Sequence, residues 1–124
     1  MQNLAASAYQ KTSQTTVNPR ELEAQLLMRA AAMIQTAMDD WDQENPDTGS
    51  FRDALTYNRR LWTILSTSAT GEDNPLPKDV KDNLGALGAF ILRHTVELMI
   101  EPKPERARTL VSINRNIAQG LRGA

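Results

Sequence analysis

The stretch LPKDVKDNLGALGAFILRHTVELMI, residues 76–100, decides the fold class. Leu76-Pro77 predicts a helix start, because a proline in the first turn has no intrahelical N–H bond to lose. Val80, Leu84, Leu87, Ile91 and Leu98 then recur at helical spacing, which gathers them on one face at ~100° per residue. A second face carries Gly85, Gly88, Ala89, Leu92, Val96 and Met99, and only the sector of Asp82, Arg93 and Glu97 is polar. A helix apolar on most of its circumference is either central in a bundle or covered by a partner. Gly85 and Gly88 each cost up to ~1 kcal/mol against alanine in a helix interior. Close approach of a neighbouring helix, or a small-residue surface for a foreign one, is expected to offset that cost.

The segments on either side read the same way. Before residue 76, Asn18 with Pro19 and Glu21 forms a helix-start signal, and Leu22, Leu26, Met33, Ala37 and Trp41 follow as an apolar stripe. The run Glu44 to Gly49 breaks that helix. Ser50 with Asp53 predicts the next cap. Phe51, Leu55, Asn58, Trp62, Leu65 and Ala69 make the next stripe, with Asn58 its one polar member. After Pro102 and Pro104 a last helix is expected to Gly120, read as its C-cap. Leu110, Ile113, Ile117 and Leu121 form its buried face, and Arg108, Arg115 and Arg122 the opposite one. No segment alternates with period two. The expected fold is all-α, a compact bundle of about four helices over 18–124 with a flexible N-terminal tail over 1–17, disordered or partner-binding.

Composition narrows the function classes. The chain has 124 residues, with Lys plus Arg at 14 and Asp plus Glu at 15. That balance gives no electrostatic case for non-specific nucleic-acid binding. The sequence contains no cysteine, so disulfides, thiolate metal sites and thiol chemistry are excluded. No stretch approaches the roughly 20 apolar residues of a membrane span, and Met1 to Asn18 lacks the apolar core of a signal peptide. A cytoplasmic protein without membrane contact is the expectation.

No catalytic set can be assembled. His94 is the only histidine; it lies near a core stripe and reads as a buried, hydrogen-bonded side chain, with no second ligand for a metal. The acids Asp39, Asp40, Asp42 and Glu44 lack calcium-loop spacing: Pro46 falls at a ligand position and glycine is missing from the turn. Arg106, Arg108, Arg115 and Arg122 make the last helix locally basic, but no aromatic platform accompanies them. No nucleophile, base and oxyanion donor come together. The chain is therefore read as a non-enzyme, with no cofactor and no metal. Asn58 and Asn114, each polar on an apolar seam, are expected to pair and fix helix register.

Several pieces, in order, resemble one family: Tyr9; Pro19-Arg20-Glu21-Leu22-Glu23 before an alanine-rich helix; Arg60-Leu61-Trp62; Asn74-Pro75-Leu76-Pro77 and Leu84; then Ile113-Asn114, Ile117 and Gly120-Leu121. Across roughly residues 9–121 the chain resembles FlaF, the flagellar biosynthesis regulators of alphaproteobacteria. The resemblance implies a flagellin-binding secretion chaperone and regulator of flagellin synthesis, functionally linked to FlbT, that covers flagellin's amphipathic terminal segments. It brings no catalytic residue. Edge aromatics and aliphatics nominate Tyr9, Tyr57, Leu61, Ile64, Phe90 and Leu92 as partner-binding residues, while Trp62 reads as core. An RNA-binding post-transcriptional regulator of flagellin expression is the alternative function, and a homodimer through the small-residue face of the third helix the alternative partner.

Overall fold

A computed structural model describes residues 18–123. Its helices are α1 (Pro19–Asp39), α2 (Thr48–Ala69), α3 (Lys78–Ile100) and α4 (Arg108–Gly123), with a short 3-10 turn, Pro104–Ala107, leading into α4. Among the described residues there is no β-strand. Tyr9 and the rest of residues 1–17 lie outside the described residues.

The helix starts follow local chemistry. Asn18 caps α1: its Oδ1 accepts from the backbone N–H of Glu21 at 2.8 Å, and Pro19 occupies the first turn. This satisfies one of the donors that a helix leaves open. The start of α2 differs from expectation. Asp47, not Ser50, is its cap, accepting from Ser50 N at 3.0 Å and from Ser50 Oγ at 2.7 Å. Ser50 is thus the capped position, and the helix opens earlier because the aspartate carboxylate accepts both bonds. Pro77 sits immediately before α3, next to its first turn, as the sequence suggests.

The ends and seams show further differences. α4 continues through Gly120 to Gly123, and Gly120 does not adopt the left-handed conformation of a capping glycine, so it is not the C-cap. The fully buried face of α1 is Ala24, Leu27, Ala30, Ala31, Ile34 and Ala37, while Leu22, Leu26 and Met33 are only half-buried. Alanines line the face that lets neighbours approach closely, and the larger side chains fill the margins. In α4 the deepest positions are Leu110, Val111, Asn114 and Ala118, flanked by half-buried Ile113, Ile117 and Leu121.

α1 packs against α4 and α2, and α3 leans chiefly on α2. The apolar third helix is therefore not the centre of the bundle but its edge. It reaches α2 closely: a Cβ added at Gly88 would stand 2.8 Å from Ser66 Cβ, and one at Gly85 3.2 Å from Thr70 Cγ2. Helix–helix approach is what the two glycines serve. On its outer side Val80, Val96 and Ile100 remain exposed.

Candidate partner-binding groove

Both ends of the described chain meet at one end of the bundle. Arg122 near the end of α4 donates from Nε and Nη2 to the Glu21 carboxylate in the first turn of α1, at 3.0 Å. That hydrogen bond holds the Glu21 carboxyl below the usual carboxylate range. The ion pair is exposed and so guides geometry more than it adds stability.

Beneath it a buried polar network sets how α1, α2 and α4 meet. Trp62 Nε1 donates to Asn114 Oδ1 at 2.9 Å, and Asn114 Nδ2 donates to Asn58 Oδ1 at 2.7 Å and to the Leu27 carbonyl at 3.3 Å. All three side chains are buried. The expected pairing of Asn58 with Asn114 is present, and the indole joins it. Asn58 Nδ2 has no partner. Because the indole fixes which end of Asn114 is oxygen, Asn58 must present its own oxygen to Asn114 and leave its amide hydrogens unmatched.

Above this network a groove of about 430 Å³ opens between the helices. Leu27 from α1 and Trp62 and Leu65 from α2 line it, with Ile117 and Leu121 from α4 opposite. Leu84 from the start of α3 and Leu76 from the α2–α3 loop complete the apolar lining. The loop is held in place: Asn74 Nδ2 donates to Ser68 O at 3.1 Å, Asn74 Oδ1 accepts from Leu76 N at 3.0 Å, and Lys81 Nζ donates to Gly71 O at 2.7 Å. Arg20 and Glu23 stand among the lining groups. Partial burial pushes the Glu23 carboxyl up, against the opposing pull of Arg20. An apolar pocket with a few polar groups at its margin is suited to anchoring side chains of a partner.

A second cleft, about 450 Å³, lies between α1 and α2 and includes Arg29, Asp40, Asp47 and Asp53. Asp47 is committed to capping α2, and among the described residues no group of three or more metal-ligating side chains could hold an ion. His94 is buried as expected. Its Nε2 donates to the Arg106 carbonyl at 2.9 Å, tying α3 to the turn before α4, and its ring stacks on Phe90 at 5.4 Å. No helix among the described residues is long and apolar enough to cross a membrane.

The nominated partner residues are spread apart. Tyr57 is half-buried with the Arg29 guanidinium 5.7 Å from its ring centre, and Phe90 is engaged by His94. Leu61 is 8 % exposed and belongs to the core, because its turn of α2 faces inward beside Trp62. Leu92 is half-buried, and Ile64 is 66 % exposed. None of these five lines the groove. Its residues Leu65, Leu84, Ile117 and Leu121 had the signature of core stripes, and periodicity alone does not show where a stripe runs out into an opening. Leu84, Ile117 and Leu121 do belong to the ordered motif set, as do the lining residues Trp62, Asn74 and Leu76, whereas Leu65 does not. Of the basic residues on α4, Arg122 is taken by Glu21, while Arg108 and Arg115 are exposed.

In comparison with known families, the model described as flagellar protein FlaF matches residues 5–121. No curated protein and no solved structure matches the chain.

Proposed function

The chain belongs to the FlaF family of flagellar proteins, and from that premise we propose that it is a chaperone and regulator that binds the helical terminal segments of flagellin before export. The observation that carries this reading is the groove, where apolar side chains from all four helices converge beneath a margin bearing Arg20 and Glu23. An amphipathic segment awaiting assembly has an apolar stripe in need of cover. A groove of this kind accepts anchors at helical spacing from such a stripe. Binding of this type needs no catalytic group, and the functional link to FlbT belongs to the same regulatory reading.

Calorimetric titration with flagellin from the same organism tests it. Saturable binding with a negative heat-capacity change and weak salt dependence is expected. Leu65→Ala and Leu121→Ala should each weaken binding by ~5–30-fold, the scale of losing one buried aliphatic contact of ~1–2 kcal/mol. Tyr57→Ala and Phe90→Ala, outside the groove, should change affinity little. Absence of binding at concentrations of tens of micromolar would refute the reading. A steep salt dependence with flagellin mRNA, abolished by removing Arg108 and Arg115, would replace it with RNA binding.

A further inference from the structure

The second cleft lies toward the other end of α1 from the groove, and the proposed flagellin contact does not use it. Met33, Ala37 and Ala54 give it an apolar floor, with exposed Ala32 beside them. Asp40, Asp47 and Asp53 supply its carboxylates, and Arg29 is the cation of the lining. The Arg29 guanidinium stands 5.7 Å from the ring centre of Tyr57, which lies outside the lining. Around the cleft, residues 39–53 hold six carboxylates, Asp39, Asp40, Asp42, Glu44, Asp47 and Asp53, and one cation, Arg52. Among the described residues none of the six is in a salt bridge. Arg29 and Arg52 offset part of this charge and leave the balance negative. Asp47 has its role as the cap of α2. Asp39 and Asp40 have no such role: they close α1, whose last turn has no basic residue, and carboxylates at that end oppose the helix dipole.

We infer that the cleft docks a basic amphipathic helical segment of a partner protein. A Lys or Arg side chain joins an apolar stem to a cationic head. A floor of Met33, Ala37 and Ala54 beside the carboxylates of Asp40 and Asp53 accommodates both parts. At about 450 Å³ the cleft takes side chains and leaves the body of the partner helix above it. Its charge repels the phosphate backbone of a nucleic acid. Nor is a metal ion the occupant, since among the described residues no group of three or more ligating side chains could hold one. Cations of the partner also neutralise Asp39 and Asp40 beside the unpaired carbonyls of α1, so docking removes a cost that the free chain carries.

Amide spectra of the isotope-labelled full chain test this. The probe is an alanine-based helical peptide with lysines one turn from a leucine. Saturable shifts are expected at Ala32, Met33 and Ala54, and a matched peptide with glutamate in place of lysine should give none. Asp40 and Asp53 are exposed, so Asp40→Asn with Asp53→Asn leaves the bundle folded. That double variant should bind the lysine peptide ~3–10-fold more weakly, the scale of losing a pair of partly exposed charge contacts. Added salt should weaken binding in the same direction. Ala32→Trp, at another exposed position, should fill the cleft and abolish the shifts. Equal binding of the two peptides, unchanged affinity in the double variant, or shifts confined to the groove around Leu65, Leu84 and Leu121 would overturn the inference. So would shifts at the cleft that grow with protein concentration in the absence of peptide, which would assign it to a second copy. None of these readouts uses flagellin, so this inference and the chaperone reading can fail separately.

Discussion

Asn114 commits both ends of its side chain inside the core, accepting from the Trp62 indole and donating to Asn58 and to the Leu27 carbonyl. Asn58 contributes a single acceptor and buries an unmatched amide. The two asparagines look equivalent in the sequence, yet their removal should differ. Asn114→Leu strands the indole N–H and the whole Asn58 amide, at ~1–3 kcal/mol for each buried group left unpaired, so a loss of roughly 3 kcal/mol is expected. Asn58→Leu removes one bond and also eliminates an unsatisfied donor, so its net effect should stay within about 1 kcal/mol. Urea unfolding of the two variants compares them directly. Equal losses would mean that the two side chains act as one unit. The pairing itself was legible because each asparagine interrupts an apolar seam. Its third member was not, since a tryptophan in mid-stripe is explained by burial alone.

At the level of the helices, the same substitution should act with opposite sign at two glycines. Gly88→Ala brings a methyl to 2.8 Å from Ser66 Cβ, so α3 must move off α2. Overpacking of this kind costs ~1–3 kcal/mol, and Ser66→Gly in the same chain should recover most of it. Gly120→Ala places its methyl in open space within a continuous helix, and should stabilise by about 0.5–1 kcal/mol. Thermal melts of the two variants should shift in opposite directions. A fall for Gly120→Ala would show that the last turn of α4 is not helical in solution. Helix number and order were legible because their signals are local: Asn18 before Pro19, the breakers between 44 and 49, and the prolines near 75 and 102. The seam of α1 was harder to read, because burial there falls on alanines while leucines sit at the margin. The edge position of α3 was also hidden, since an apolar circumference is compatible with either a central or a covered helix. The groove was the least legible feature. It forms where helix ends remote in sequence converge, and each of its large apolar residues individually resembles core.

For the molecule as a whole, closure of the bundle should be sensitive to acid. Glu21 joins α1 to the end of α4 through Arg122, and Asp47 caps α2 through Ser50. Both carboxyls are held below their ordinary range, Glu21 first by the Arg122 hydrogen bond and Asp47 first by the Ser50 backbone N–H. A carboxyl lowered on folding contributes stability that is complete above its unfolded pKa and is lost as pH falls through its folded value. Glu23 works the other way. Burial raises it, so the folded state binds its proton more tightly, and its contribution declines as pH rises from the unfolded value through the raised one. The urea midpoint should therefore drop below pH ~4, the ordinary carboxylate range. Glu21→Gln and Asp47→Asn should each flatten that drop, and the asparagine keeps an acceptor for the cap. Glu23→Gln should instead raise stability at neutral pH and leave the acid limb unchanged. Unfolding measured between pH 3 and 7 on the parent chain, the three single variants and the double variant decides it. If the double variant Glu21→Gln, Asp47→Asn keeps the full acid slope, neither the clasp between α1 and α4 nor the α2 cap governs how the bundle opens.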